Sequence, residues 1–126
     1  MTFRLQWIDE FRIDPDLHSQ LADLLREAFS SSTFRYERSY FKQLPKCRLL
    51  AWEEEQLVGQ VGLEHRVLCL PSGPAQIFGI IDVCVSAGSR GHGVASRMLS
   101  EIERLAIESR IEFLILFATD LRLYER

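Results

Sequence analysis

The feature that most constrains this fold is an apolar strand that leads through a glycine-rich loop into an amphipathic helix. Residues 77–85 are almost continuously apolar, which is typical of a strand buried on both faces. Three glycines lie in the loop at 88–93, and apolar residues then recur at helical spacing between 94 and 109. This order of strand, loop and helix predicts a crossover unit of an α/β fold.

The junction between this strand and the helix is suited to bind an anion, most simply a phosphate group. Backbone N–H groups in the first turn of a helix lack internal partners and lie at the positive end of the helix dipole. Gly91 and Gly93 have no Cβ atom, so the backbone there can adopt unusual dihedral angles and approach an oxygen atom closely. Several such donors together predict a pyrophosphate site that needs no lysine.

Two other classes of nucleotide-binding loop fit this sequence less well. A Walker loop contains a lysine after its last glycine, and no lysine follows Lys46, so this class is excluded. A dinucleotide-binding fingerprint needs a third glycine or alanine where this chain has Ser96, and its strand normally begins the domain. Asp120 follows the next predicted strand and could mimic the acid that binds a ribose, so this interpretation stays open.

The rest of the chain predicts a β-α-α-β-β-β-α-β-α order, with antiparallel hairpins before the crossover unit. Asp14 or Asp16 is expected to cap the first helix, in which Pro15 fits the first turn. An isolated glycine in a strand often marks a bulge, so Gly79 predicts one. The predicted strands are 2–8, 47–52, 57–70, 77–85 and 113–118, and the predicted helices are 15–29, 37–44, 94–109 and a last one after 119.

The run Arg-Gly-His-Gly-Val-Ala at 90–95 resembles the Gln/Arg-x-x-Gly-x-Gly/Ala signature of the GCN5-related N-acetyltransferases, the GNAT family. Strand 81–85 resembles the fourth strand of that family, and Leu-Tyr-Glu-Arg at 123–126 also fits its pattern. The resemblance extends over nearly the whole chain. It implies an α/β fold with a GNAT-like mixed sheet flanked by helices, and a single acyl-CoA N-acyltransferase-like domain over 1–126.

The resemblance also implies a binding site for acetyl-CoA (coenzyme A) in a split between the fourth and fifth strands. The pyrophosphate would lie on the loop, and the pantetheine arm would pair with the backbone of the fourth strand. Arg90 is expected either to reach a phosphate oxygen or to remain a solvated loop charge. The implied cofactor-binding residues are Val83, Cys84, Val85, Arg90, Gly91, His92, Gly93, Val94 and Ala95.

Acetyl transfer to an amine needs a base for the amine and a proton for the departing thiolate. Asp82 interrupts an apolar strand, where an unpaired carboxylate is costly to bury, so it is a candidate base. The alternative is a structural acid that pairs with an arginine or with backbone amides. Glu64 and His65 are weaker candidates for the base. The resemblance implies that Tyr124 protonates the thiolate, and the alternative is a tyrosine of the core.

Composition and charge argue against several classes of partner. The formal net charge is -3 and no basic tract is present, which argues against a nucleic-acid surface. Because no apolar run reaches membrane-spanning length and no signal peptide begins the chain, we expect a cytoplasmic protein with no membrane partner. The three cysteines and three histidines are too scattered for a metal site, and the cysteines are expected to be small buried residues.

Members of the resembled family continue past the position of Arg126 with two more strands, so the sequence predicts a C-terminally incomplete domain. The exposed sheet edge that this would leave favours a homodimer. Two functions then fit. The first is an N-acetyltransferase that moves an acetyl group from acetyl-CoA to a primary amine of a small molecule or peptide. The second is a CoA-binding or assembly domain with little turnover.

Overall fold

The computed structural model describes residues 2–29 and 44–116, which form a five-stranded sheet in the order β1-β2-β3-β4-β5. The first four strands pair antiparallel with their neighbours, and β5 pairs parallel with β4. The predicted mixed sheet flanked by helices is therefore confirmed. The strands are β1 Arg4–Asp9, β2 Cys47–Glu53, β3 Gln56–Leu70, β4 Gly73–Val85 and β5 Phe113–Leu116, and the helices are α1 Pro15–Ala28 and α2 Val94–Glu108.

The observed boundaries follow from local chemistry. Asp14 caps α1, because its Oδ1 accepts a hydrogen bond from the backbone N–H of Leu17 at 2.8 Å. Strand β4 begins earlier than predicted because the turn before it is short: Leu70 pairs directly with Gly73, whose φ of 124° suits glycine alone. The predicted helix at 37–44 lies almost wholly outside the described residues, as do the end of the last strand and the helix after 119.

The two faces of the sheet carry separate apolar clusters, one for each helix. Neighbouring residues on a strand point to opposite faces, so Leu49 packs with the α2 cluster and Leu50 with the α1 cluster. Met98 and Ile102 of α2 are fully buried against the first cluster, and Leu25 of α1 is fully buried against the second. The sheet is therefore covered on both sides around β3 and β4, where the candidate site lies.

The cysteines do not share the buried environment that the sequence predicted. Cys84 is buried and Cys47 is partly buried, but Cys69 is exposed. Cys69 belongs to residues 65–69 of β3, all of which are exposed in the hairpin that β3 forms with β4. The prediction is therefore wrong for Cys69, because this half of the long hairpin extends past the two apolar clusters.

Helix α2 approaches the sheet most closely at Gly59 of β3. A Cβ atom at this position would lie 3.1 Å from both the Cε atom of Met98 and the Cγ1 atom of Val94, and 3.3 Å from the carbonyl oxygen of Cys84. These contacts are tighter than ordinary van der Waals packing, so the absence of a side chain permits the approach. Gly59 therefore sets how closely the first turn of α2 lies against β3 and β4.

Replacing Gly59 with alanine should destabilise the protein by about 1–3 kcal/mol, because the new methyl group overpacks the contact between β3 and α2. Denaturant-induced unfolding would measure the change. Gly88→Ala is the matched control, since a Cβ there would meet no atom within 4 Å, and its free energy of unfolding should change by less than about 0.5 kcal/mol. Equal stability of the two variants would contradict this account of the packing.

Candidate cofactor site

The candidate site is built on a bulge in β4. Gln60 of β3 pairs with Cys84, whereas Gly62 pairs with Ile81, so β4 accommodates one more residue than β3 over this interval. Asp82 lies within it and has a φ of 54°, in the left-handed region. Aspartate is among the non-glycine residues that tolerate this conformation best. The bulge therefore forms around Asp82.

The sequence placed the bulge at Gly79, and that prediction is wrong. Gly79 pairs in regular register with Glu64 on one side and with Ile115 on the other. It lies between two strands, at a point where the sheet is continuous. The extra residue enters β4 after Ile80, whose pair with Leu116 is the last one with β5 among the described residues.

The last part of β4 has one edge without a strand partner in the described part of the chain. Pairing with β5 runs from Ile77 to Ile80 of β4, whereas pairing with β3 continues to Val85. The backbone N–H and C=O groups of 83–85 that point away from β3 therefore have no neighbouring strand among residues 2–29 and 44–116. An extended ligand with amide groups could pair with this edge as an additional strand would.

The loop after β4 directs backbone donors toward the same region. Gly91 and Gly93 both adopt left-handed φ values, 82° and 78°, and a Cβ on either would meet no atom within 4 Å. Glycine is thus needed for the backbone conformation and not for space. The first bond of α2 runs from the N–H of Arg97 to the oxygen of Gly93, and no described side chain caps the helix. The N–H groups of 94–96 therefore lack intrahelical acceptors.

Arg90 is anchored to the strand that precedes its loop. Its Nε donates a hydrogen bond to the carbonyl oxygen of Val85 at 3.1 Å, although the residue as a whole is exposed. The bond holds the guanidinium group beside the last residue of β4. His92 is exposed in the same loop, and Val94 is buried where α2 begins.

The side chains of 83–85 belong to the core. Val83 and Val85 pack in the α2 cluster, and Cys84 packs in the α1 cluster. Burial raises the pKa of the Cys84 thiol far above its ordinary value of 9.0, with the charge of Asp82 as the next cause, so the thiol stays protonated. This segment can therefore offer a ligand its backbone, and Cys84 is not a nucleophile.

Residues 12–126 match the family described as "Acetyltransferase (GNAT) domain". This chain belongs to the GNAT acetyltransferase family. No curated protein sequence is similar enough to the chain to count as a match. The family resemblance that the sequence predicted from its loop is confirmed.

Solved structures with this fold include several acetyltransferases. An aminoglycoside acetyltransferase from an uncultured soil metagenomic sample is 17% identical, with a TM-score of 0.70 over 97% of this chain and 84% of that one. A ribosomal-protein-alanine N-acetyltransferase from Brucella melitensis is 20% identical, with a TM-score of 0.69 over 98% and 89%. A probable N-acyltransferase from Enterococcus faecalis is 18% identical, with a TM-score of 0.78 over 98% and 31%. At these identities the likeness shows the fold.

Asp82 lies in surroundings that disfavour its charged form. Burial raises the pKa of its carboxyl above the ordinary value of 3.8, the charge of Arg48 lowers it in part, and the charge of Glu64 raises it. Within the described residues no ion pair joins Asp82 to an arginine, because Arg48 pairs with Glu10 at 2.8 Å and Glu64 pairs with Arg66 at 2.5 Å. Asp82 therefore lies within the influence of the Arg48 charge without forming an ion pair with it.

The structure brings three features to one end of β4: Asp82, the edge of 83–85 that points away from β3, and the loop of 90–95. Tyr124, the predicted acid, lies outside the described residues. The other candidate base, His65, is exposed and its Nε2 lies 2.8 Å from Oε1 of Gln76.

Within the described residues, no group of three or more His, Cys, Asp or Glu side chains could hold a metal ion, and no helix is long and apolar enough to cross a membrane.

The sequence analysis missed two polar side chains behind the bulge. Arg48 and Gln60 are 1% and 0% exposed, and the Nε2 group of Gln60 donates a hydrogen bond to the carbonyl oxygen of Asp82. Each residue interrupts a stretch that is otherwise apolar or glycine, Arg48 within 47–52 and Gln60 within 57–63. That interruption is the same signal that singled out Asp82, and it could have identified them.

Replacing Asp82 with asparagine should stabilise the folded protein at neutral pH, because it removes a partly buried carboxylate while keeping a residue that tolerates a left-handed φ. The folded state holds its proton to higher pH than the unfolded state does, so wild-type stability falls as pH rises from 3.8 through the raised pKa. The advantage of Asp82→Asn should therefore appear above that window and disappear below it. Thermal unfolding measured across this pH range would test the prediction.

Asp82→Ala is the matched control for the backbone. It also removes the carboxylate, but alanine in a left-handed conformation costs about 1–2 kcal/mol, so this variant should be less stable than Asp82→Asn at every pH. A stability advantage of Asp82→Asn that does not change with pH would contradict the assignment of a raised pKa to Asp82.

Proposed function

We propose that this GNAT domain is an N-acetyltransferase that moves an acetyl group from acetyl-CoA to a primary amine of a small molecule or peptide. The observation that supports this most directly is the junction of β4 and α2. There a strand edge without a partner in the described residues leads into an uncapped helix N-terminus. Acetyl-CoA would supply the acetyl thioester, together with amide groups and a pyrophosphate in an order that fits this junction.

The loop of 90–95 is the proposed site for the pyrophosphate. The backbone N–H groups at Gly91, Gly93, Val94 and Ala95 would bind its oxygens, aided by the positive end of α2. Arg90, held beside the end of β4, would add a charged donor, and His92 would line the loop from its exposed side.

The backbone at Val83, Cys84 and Val85 is the proposed partner of the pantetheine amides. Its outward groups have no strand partner in the described part of the chain, and each such pair would replace bonds to water with bonds to the ligand. This stretch begins directly after the bulge at Asp82. The thioester end of the arm would therefore reach the part of β4 that carries the carboxyl group.

Asp82 is the proposed base. A primary alkylammonium group has a pKa of about 10.4 and must lose a proton before its nitrogen can attack the thioester carbonyl. A carboxylate with a raised pKa accepts that proton more readily than an ordinary one, directly or through a water molecule. The new C–N bond forms as the C–S bond breaks, and the departing thiolate takes a proton from Tyr124, the proposed acid. The acylated nitrogen then releases its second proton, which returns through water to the phenolate of Tyr124 and leaves a neutral amide.

Titration with acetyl-CoA by calorimetry tests the cofactor assignment. We expect saturable binding of one ligand per chain at about micromolar affinity, matched by CoA, because most of the proposed contacts involve the pantetheine arm and the pyrophosphate. Gly93→Ala should weaken this binding, since it disturbs the left-handed turn that presents the loop donors. No detectable heat from a folded chain would overturn the cofactor assignment.

Turnover with a panel of primary amines, followed as release of free thiol, tests the reaction. Asp82→Asn should bind acetyl-CoA but lose about 10²–10⁴-fold in kcat/KM, the usual contribution of a general base. The kcat/KM of the wild type should fall at acidic pH as Asp82 takes up a proton, at a pH above the carboxyl's ordinary value of 3.8. Binding without turnover for any amine would favour a CoA-binding or assembly domain instead.

Glu64→Gln is the matched control for the base. Glu64 is a neighbouring buried carboxyl group that pairs with Arg66, and its loss should leave most of the activity. Loss of activity in Glu64→Gln with activity retained in Asp82→Asn would assign the base to Glu64.

A further inference from the structure

A row of buried polar side chains crosses the sheet on the face covered by α1 and ends at the bulge. Glu10 follows β1, Arg48 lies on β2, and Gln60 lies on β3 opposite Leu50 and Cys84 of the α1 cluster. We call these three residues the polar relay. It joins the end of the first strand to the fourth strand through side chains alone.

Arg48 donates hydrogen bonds to both of its neighbours in the polar relay. The Nε group of Arg48 donates to Oε1 of Glu10 at 2.8 Å, and its Nη1 group donates to Oε1 of Gln60 at 3.1 Å. Gln60 in turn donates from Nε2 to the carbonyl oxygen of Asp82. Arginine has only donors, so the amide oxygen of Gln60 must face Arg48 and its NH₂ group must face Asp82. The charge of Arg48 thus fixes the orientation of the amide.

Buried polar side chains such as those of the polar relay are in general not what makes a core stable. Burying a guanidinium group costs several kcal/mol that an ion pair offsets only in part, and apolar side chains of similar size often serve a core as well or better. Arg48 is 1% exposed and Gln60 is 0% exposed, so both carry the full cost of removal from water. Their placement therefore points to a task at the bulge itself.

That task is to hold the bulged peptide. The extra residue of a bulge is left without a partner in the ladder, so its carbonyl group needs another donor. Gln60 supplies that donor at Asp82, whose φ of 54° would otherwise be free to relax toward a more favourable backbone conformation. Fixing this peptide plane also fixes the direction of the N–H and C=O groups that follow it along β4.

We propose that Gln60 is a positioning residue. By holding the carbonyl group of Asp82, it orients the edge of 83–85 that points away from β3, so that this edge can pair with the acyl-CoA arm. This inference rests on the proposed function, in which that edge binds the pantetheine amides. Gln60 touches neither substrate, and it acts through the backbone of Asp82. Arg48 orients the amide of Gln60 through its hydrogen bond to Oε1, and Glu10 in turn binds Arg48.

Gln60→Glu and Gln60→Leu separate this role from a purely structural one. Gln60→Glu keeps an acceptor for Arg48 and completes a buried ion pair, but its carboxylate has no donor for the carbonyl oxygen of Asp82. Gln60→Leu removes both bonds at similar volume. If Gln60 only satisfied Arg48, then Gln60→Glu would behave as the wild type. Ile102→Val is the matched control, since it trims another fully buried side chain, one that belongs to α2 and the opposite face of the sheet.

The affinities for two ligands then show which part of the proposed site the Gln60 variants weaken. Acetyl-CoA spans the loop and the strand edge, whereas adenosine 3′-phosphate 5′-diphosphate carries only the part proposed for the loop. Both Gln60 variants should bind acetyl-CoA about tenfold more weakly, the effect of about one lost hydrogen bond, and bind the nucleotide with unchanged affinity. Ile102→Val should leave both affinities unchanged. Equal weakening for both ligands, or unchanged acetyl-CoA binding in folded Gln60→Glu, would overturn the proposal.

Hydrogen exchange of the backbone amides at 83–85, measured without ligand, provides a readout independent of the proposed function. Exchange should be about tenfold faster in Gln60→Glu than in the wild type or in Ile102→Val, because the bulged peptide loses its side-chain partner. Unchanged exchange would overturn the role of Gln60 even if acetyl-CoA binds. Faster exchange in a protein that binds neither ligand would overturn the proposed function and still support Gln60 as the residue that holds the bulge.

Discussion

The left-handed backbone at Asp82 is the constraint on which the rest of the site depends. One extra residue in β4 changes its register against β3 just after Ile80, which forms the last described pair with β5, and beyond Ile80 the described part of the chain pairs β4 with β3 alone. The side chain of Gln60 donates to the bulged carbonyl. Without that constraint β4 would continue as a regular strand, and its end would present a different set of backbone groups to the loop.

This arrangement places several locally unfavourable features at one point. An aspartate with a left-handed backbone and a partly buried carboxyl of raised pKa lies at the bulge, and a fully buried arginine lies near it. Each costs free energy that an apolar, regular strand would not. Such features collect at functional sites, since a core built for stability alone would avoid them. The apolar clusters on both faces of the sheet supply the stability that allows them to persist.

The loop and helix α2 depend on a second, purely steric condition. Gly59 lets the first turn of α2 lie close against β3 and β4, and the left-handed turns at Gly91 and Gly93 bring the chain from the end of β4 into the helix. The backbone N–H groups of the loop and those at the end of β4 consequently lie at the same end of the sheet. The proposed binding site for a long ligand with a phosphate at one end depends on these two conditions, and its proposed chemistry depends on Asp82.

The sequence by itself determined the family, the mixed sheet and the position of the glycine-rich loop between β4 and α2, because apolar periodicity and a glycine pattern are local signals. It also identified Asp82 as a candidate base, since a carboxylate that interrupts an apolar strand can be recognised from the sequence alone. Only the tertiary structure placed the bulge at Asp82 instead of Gly79, and only it joined Arg48, Gln60 and Asp82. Register between strands and hydrogen bonds across a sheet depend on residues far apart in the chain, which no local pattern specifies.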